Sequence, residues 1–340
     1  FAGESVKTIN LFNNSYPIIG LRFIYKIIKL LRNNPDATVL IHDRHVLSSV
    51  VASFICFVLN KPYILISHTT NSNYFKNKLF NKIGEIFESI FSQFVVGKAD
   101  RIIAVSKTNA KYLEDNFKFD SEKLEIITNG FDVKKILTLD ISRKEKLIVF
   151  NTKWIPVKNP DITALAFRKL AKKYPKWTFL FTGRGESIVQ TFDNHPKNFE
   201  VIERFLTQEE LFNLLSRSSI YVNSSHNEGL SLGIVEATGL GNIPVLSDVP
   251  GNIQVATKLL TKRFIFERNN YSSLITSIEK AIKACEHKKI RQTRIHIANR
   301  SRKYFANTKT FKKYRNFLSR YRLIKSFKGA KTTKIEYSYT

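Results

Sequence analysis

Two carboxylates and two cations are spaced as a ligand site would need them. Glu228 and Glu236 stand with seven residues between them, on either side of the turn Gly229-Leu230-Ser231-Leu232-Gly233. The run Ile220-Tyr221-Val222-Asn223 reads as a strand feeding that turn, a helix follows it, and Pro244-Val245-Leu246 reads as the next strand. In an open parallel sheet, ligands bind beyond the carboxyl ends of strands, where a helix N-terminus presents free backbone N–H groups. Gly229 lets the backbone come close, because it carries no Cβ. A carboxylate just ahead of such a helix is badly placed for phosphate, so Glu228 suits sugar hydroxyls, and Glu236 is placed to accept from a ribose diol. Lys153 and Lys158, five residues apart behind the strand Leu147-Ile148-Val149-Phe150, can clamp a diphosphate; the plain alternative is two solvated lysines.

This set of residues resembles the donor-binding signature of retaining, two-Rossmann-domain (GT-B) glycosyltransferases, the glycosyl transferases group 1 family, over the chain from about Asp36 onward. The resemblance implies that Glu228 meets the transferred sugar and Glu236 the nucleotide ribose. It implies a diphosphate held by Lys158 and Lys153, with Gly229, Leu230 and Ser231 around it. Lys153 stands where the family usually has arginine, which keeps the charge and loses the bidentate fork. His68 then faces the donor sugar across the cleft. Gly183, in the turn Gly183-Arg184-Gly185, and the pair Arg204-Phe205 fall near base and phosphates. The family's opening strand and glycine-rich loop have no counterpart here beyond Ala2-Gly3-Glu4.

A departing nucleoside diphosphate accumulates negative charge. Some enzymes meet it with a metal held by an Asp-x-Asp pair, and the sequence has no such triplet. Lysines and a helix N-terminus, equivalent to roughly half a positive charge, are the other solution. A metal-independent enzyme without cofactor is therefore expected, using a UDP- or GDP-linked sugar as substrate.

The fold class expected is α/β, two Rossmann-like domains facing across a cleft, because strand and helix patterns alternate along the whole chain. Strands are expected at Ala37–Ile41, Tyr63–Ile66, Ile102–Val105, Leu124–Thr128 and Phe179–Thr182, and an amphipathic helix over Phe75–Val96. His45–Leu59 is too short to span a membrane and reads as a buried helix. Ser106 and Asn159-Pro160 read as helix starts, and Thr207-Gln208-Glu209-Glu210 as a capping box. The expected division is 1–140 for the first domain, 141–307 for the nucleotide-sugar domain, and a crossover helix, 308–340, returning to the first.

Two cysteines without metal or redox spacing, and no export segment, fit a cytoplasmic protein. The formal charge is +27, and residues 281–340 hold 18 Lys and Arg against two Asp and Glu. Aromatics from Tyr304 to Phe327 are interleaved with that charge and are expected to pack on the first domain. The excess points to an anionic partner: a membrane surface reached through the basic C-terminus, on its inner face, ahead of nucleic acid, for which no motif is present. The expected function is sugar transfer to a glycan or lipid-linked acceptor in cell-surface polysaccharide or lipopolysaccharide synthesis. The alternatives are an epimerase or phosphorylase-like enzyme of the same fold, or a non-catalytic basic binding module.

Overall fold

The computed structural model describes residues 8–11, 14–17, 20–70, 82, 86, 88–142, 144–185 and 195–320. A short antiparallel pair, β1 (Thr8–Leu11) and β2 (Asn14–Pro17), stands apart from two parallel sheets. The first sheet is built in chain order: α1 (Leu21–Asn33), β3 (Val39–His42), α2 (Leu47–Val58), β4 (Tyr63–Ser67), α3 (Gln93–Gly97), β5 (Arg101–Ala104), α4 (Lys107–Asn116) and β6 (Leu124–Ile126). Its strands lie side by side as β3-β4-β5-β6, all parallel. Side chains alternate across a strand. One face sends Tyr63, Leu65, Ile102 and Ala104 into a core with Leu31, Ile55, Val95 and Leu113 from the helices. The other sends Ile64, Ile66, Ile103 and Val105 against Phe317 and Tyr314, far along the chain.

After α5 (Val133–Leu137) the second sheet begins. The chain runs through β7 (Leu147–Lys153), α6 (Pro160–Lys173), β8 (Thr178–Arg184), β9 (Phe199–Ile202), α7 (Gln208–Arg217), β10 (Ile220–Asn223), α8 (Leu232–Gly239), β11 (Ile243–Ser247), α9 (Pro250–Leu259) and β12 (Ile265–Phe266). The spatial order is β12-β11-β10-β7-β8-β9. Growth runs outward from β7 to β9, then returns to β10 on the opposite side of β7, so the winding reverses between β7 and β10. Such a switch point opens a crevice at the carboxyl ends of the two strands. Phe150, Phe167, Phe179, Phe181 and Phe199 pack edge to face and offset beneath this sheet. Each such side chain contributes about 1.5–3 kcal/mol on burial.

Helices α10 (Tyr271–Cys285) and α11 (Ile290–Phe305) complete the second unit. The chain then crosses back. The Phe131 N–H donates to the Phe305 carbonyl, and the Asn307 N–H to the Phe131 carbonyl. The helix α12 (Asn307–Arg320) lies on the first sheet, with Phe317 fully buried there.

Several elements differ from the sequence reading. Helix α2 is not wholly buried: it seats Val50, Ile55 and Cys56 on the sheet but leaves Leu47, Phe54, Phe57 and Val58 exposed on its outer side. Asn159 does not cap α6. It sits in the left-handed region (φ 47°), and its amide donates to Asn269 instead, while Pro160 takes the first helical position. β7 runs three residues further than expected, so Lys153 ends a strand. Phe311 is exposed on α12 and does not pack on the first domain. Half of the Phe75–Val96 stretch, and everything beyond Arg320, lies outside the described residues.

Candidate active site

Local sequence explains how the second sheet holds its carboxylates. β10 ends at Asn223, whose amide donates to Glu228 Oε1 at 3.3 Å. The Ser225 hydroxyl donates to the same oxygen at 2.7 Å, and so does Lys158 Nζ, also at 2.7 Å. Three donors thus converge on one carboxylate oxygen of a buried residue. Asn252 donates to Asn223 Oδ1 and Ser247 Oγ to the Ser225 carbonyl, so the donors themselves are held. The loop carrying Lys158 is stitched to the same place. Ser224 donates to the Lys158 and Asn159 carbonyls, and the His226 N–H to the Val157 carbonyl at 2.8 Å. The result is a preorganised ion pair at the mouth of the switch point.

The chain at Glu228-Gly229 is squeezed from two sides. A Cβ on Gly251 would stand 2.2 Å from the Glu228 carbonyl, and one on Gly229 would stand 2.3 Å from the carbonyl of His68. The close approach Gly229 permits is therefore to the first domain's backbone. Beyond it, α8 starts at Ser231, whose side chain makes no capping bond. The first-turn N–H groups have no partner within the helix, and they point at the same mouth. Leu230 is buried in the core beside them.

Glu236 lies one turn into α8, partly buried and without a side-chain hydrogen-bond partner among the described residues. Burial pushes its carboxyl up to about 7, against the pull of Lys135. Tyr221 lies beneath the turn. Its hydroxyl donates to the Asn151 carbonyl, and a Cβ on Gly233 would come within 2.6 Å of that hydroxyl. Burial, then Glu228 and Glu236, push its phenol up.

Other expected residues have contacts of their own. Lys153 is exposed at the end of β7, in register with Arg184. Gly183 has φ 143°, and a Cβ there would meet the Thr152 carbonyl at 1.9 Å and Trp154 Nε1 at 2.6 Å; the structure sets it against the β7 chain. Arg204 is exposed and donates through two nitrogens to Glu210, at 2.7 and 2.9 Å. With Thr207 it holds the Glu210 carboxyl down at about 2. That arginine braces the capping box of α7, and Phe205 beside it is exposed.

Across the mouth, His68 ends β4. Its N–H donates to Asp43 Oδ1 at 2.8 Å, and Asp43 holds φ 58°. Its ring meets His42, Nε2 to Nδ1 at 3.0 Å, with the planes only 10° apart and the centroids 5.3 Å apart. Those values describe an in-plane N–H···N bond rather than face-to-face stacking. Burial, then His68, lower the pKa of His42, with Asp43 opposing. Thr70, two residues on, bonds Asn227 of the donor loop, a direct link between the two units.

Sequence reasoning missed what aims this edge. Arg44 is fully buried and donates to Ser67 Oγ and to the carbonyls of Thr69 and Thr70. Its guanidinium lies 4.9 and 5.1 Å from the rings of Tyr112 and Phe117. Asn109 adds bonds to Ser67 and Thr69. The only signal was its place between two histidines, just past a strand. Among the described residues no cluster of three His, Cys, Asp or Glu is arranged to hold a metal ion.

Known proteins carry the same architecture. Residues 2–135 match the model of Glycosyltransferase Family 4, and residues 136–302 that of Glycosyl transferases group 1. An uncharacterised glycosyltransferase of Methanocaldococcus jannaschii is 25% identical over 76% of this chain and 73% of its own length. The UDP-Gal:alpha-D-GlcNAc-diphosphoundecaprenol alpha-1,3-galactosyltransferase of Escherichia coli is 20% identical over 82% and 73%. The Anabaena protein HepE, solved with UDP, superposes with a TM-score of 0.65 over 88% of this chain and 82% of that one, at 16% identity. With the two domain matches spanning nearly the whole chain and the two-sheet fold to go with them, the chain belongs to the group 1 glycosyltransferases of the GT-B type.

Proposed function

We propose that this glycosyltransferase moves a sugar, with retention of anomeric configuration, from a UDP- or GDP-linked donor to a lipid-linked or other glycan acceptor in cell-surface polysaccharide synthesis. The Lys158–Glu228 ion pair beside the open N-terminus of α8 carries the proposal. Without donor, Lys158 neutralises Glu228. An arriving diphosphate competes for that ammonium, and Glu228, still held by Ser225 and Asn223, turns its charge to the sugar hydroxyls. Lys158, Lys153 and the first-turn N–H groups then face the diphosphate as the anomeric C–O bond breaks. The acceptor oxygen forms its bond on the same face, and its proton passes to the departing phosphate oxygen. Preorganised donors at such a leaving group are worth ~100-fold or more in rate. Glu236 accepts from the ribose, which supplies the partner its buried carboxyl lacks.

The chemistry above uses lysines where other enzymes use a metal, so full activity in excess EDTA is expected. A relative whose name includes a diphosphoundecaprenol acceptor supports the lipid-linked reading, as does the +16 carried by residues 281–340. We place the enzyme in the cytoplasm at the inner membrane face; among the described residues no helix is long and apolar enough to cross a membrane. The test is to incubate the protein with UDP- and GDP-linked sugars in EDTA and follow the anomeric proton of the released or transferred sugar by NMR. Product with the donor's configuration supports the reading. Inverted product, or a strict need for Mn²⁺ or Mg²⁺, overturns the mechanism.

A further inference from the structure

Helix α2 contains no charged residue, yet one side of it faces solvent. Leu47, Phe54 and Val58 recur at spacings of seven and four, with Phe57 beside them, so they share a face. Phe54, Phe57 and Val58 are 57%, 51% and 63% exposed. A second stripe joins them. Ile86, Ile90 and Phe94 follow at spacings of four, Ile90 is 60% exposed, and the Phe94 ring lies 6.2 Å from Phe54 and 5.7 Å from Phe57. Soluble proteins seldom leave large apolar side chains contiguous in this way. Cations border the face. Lys98 Nζ stands 4.9 Å from the Phe57 ring, and α1, packed alongside α2, carries Arg22, Lys26, Lys29 and Arg32 with no acid.

We propose that this face of α2 and the Ile86–Phe94 stripe seats the enzyme on an anionic lipid bilayer. Apolar side chains enter the boundary between headgroups and acyl chains, and the flanking lysines and arginines meet the anionic headgroups; both terms are required for stable interfacial binding. Charge complementarity selects lipid over a second copy of the chain, whose identical basic rim would repel. The inference deepens the membrane-bound acceptor proposed above and moves the main contact away from the basic C-terminus.

The experiment is flotation of the full chain with vesicles of phosphatidylcholine, alone or mixed with phosphatidylglycerol. The parent is expected to float with the mixed vesicles and to be released by salt. Phe54→Ser with Phe57→Ser and Val58→Ser should reduce partitioning by at least about tenfold while leaving UDP or GDP binding unchanged, which shows an intact fold and isolates the result from the glycosyl-transfer reading. Lys29→Glu with Lys98→Glu should abolish the preference for phosphatidylglycerol. Phe57→Trp should be quenched by brominated lipid, since Trp154 and Trp177 are buried. Parent-like flotation of the triple serine variant overturns the proposal, as does loss of flotation only on neutralising Lys325, Lys328, Lys331 and Lys334. A parent that ignores vesicles and dimerises through this face also overturns it.

Discussion

The two sheets aim their site residues by different means. On the second, Glu228 is held by a short run of chain and one neighbouring loop, through Asn223, Ser225 and Lys158, with Asn252 of α9 bracing Asn223. On the first, the edge bearing His68 is aimed from beneath by one buried cation, Arg44, drawing on carbonyls and rings between residues 67 and 117. The second sheet covers a single large core that includes Trp154, Trp177 and ten phenylalanines. The first has two smaller cores, one closed by a helix returning from the far end of the chain. The donor half is thus locally determined, and the other half is assembled at long range. Loosening the hold on Glu228 should therefore act first on binding and turnover, and removing the Arg44 brace should act first on stability.

The largest expected effect falls on the first sheet. Arg44→Ala leaves the Thr70 carbonyl without its donor, Thr69 with Asn109 alone, and a hole between two rings, at a cost of about 3–5 kcal/mol. Chemical denaturation should show the loss, while UDP or GDP still binds the second unit. An unchanged midpoint would mean Arg44 is not what holds this edge.

Next is Glu228→Gln. Turnover should drop ~100-fold or more, about 3 kcal/mol of transition-state stabilisation. Free nucleoside diphosphate should bind as well or better, because Lys158 no longer has a competing carboxylate. Weaker nucleotide binding in this variant would reverse the roles assigned to the two glutamates.

Glu236→Gln separates stability from function. The folded protein keeps this carboxyl protonated up to about 7, whereas the unfolded chain releases the proton near 4.5. The unfolded state therefore binds fewer protons across that window, and stability falls as pH rises through it. Removing the group removes the slope. The variant should gain on the parent by up to ~3 kcal/mol between acid and pH 8, yet bind nucleotide and nucleotide sugar more weakly. Melting curves and titrations over that range check both signs.

The smallest effect belongs to His42. It and His68 share one N–H···N bond, so a second proton breaks the pair. His42→Gln should move the acid limb of the pH–rate profile by no more than about one unit, with stability little changed. An identical profile would make the pair structural only.

The same contrast explains what was legible in the sequence. The spacing of the two glutamates around their turn, the capping box at Thr207 and the alternation of strands and helices are legible because each is a local pattern. The neighbours of Gly183 and Arg204, Trp154 and Glu210, are ones that no spacing rule singles out. Arg44 was one of 55 basic residues until folding put it under a loop. The exposed side of α2 was invisible for a related reason: an uncharged run of that length reads as buried, and only the one-sided packing of the helix itself shows otherwise.

The account rests on Lys158 exchanging Glu228 for a diphosphate. Isothermal titration of the parent and Lys158→Ala with UDP and GDP, and with uridine and guanosine, tests that exchange directly. Loss of one charge-assisted bond of about 1.5–3 kcal/mol predicts a roughly 10- to 150-fold weaker diphosphate and an unchanged nucleoside. Equal losses for both ligands, or none for either, would contradict it.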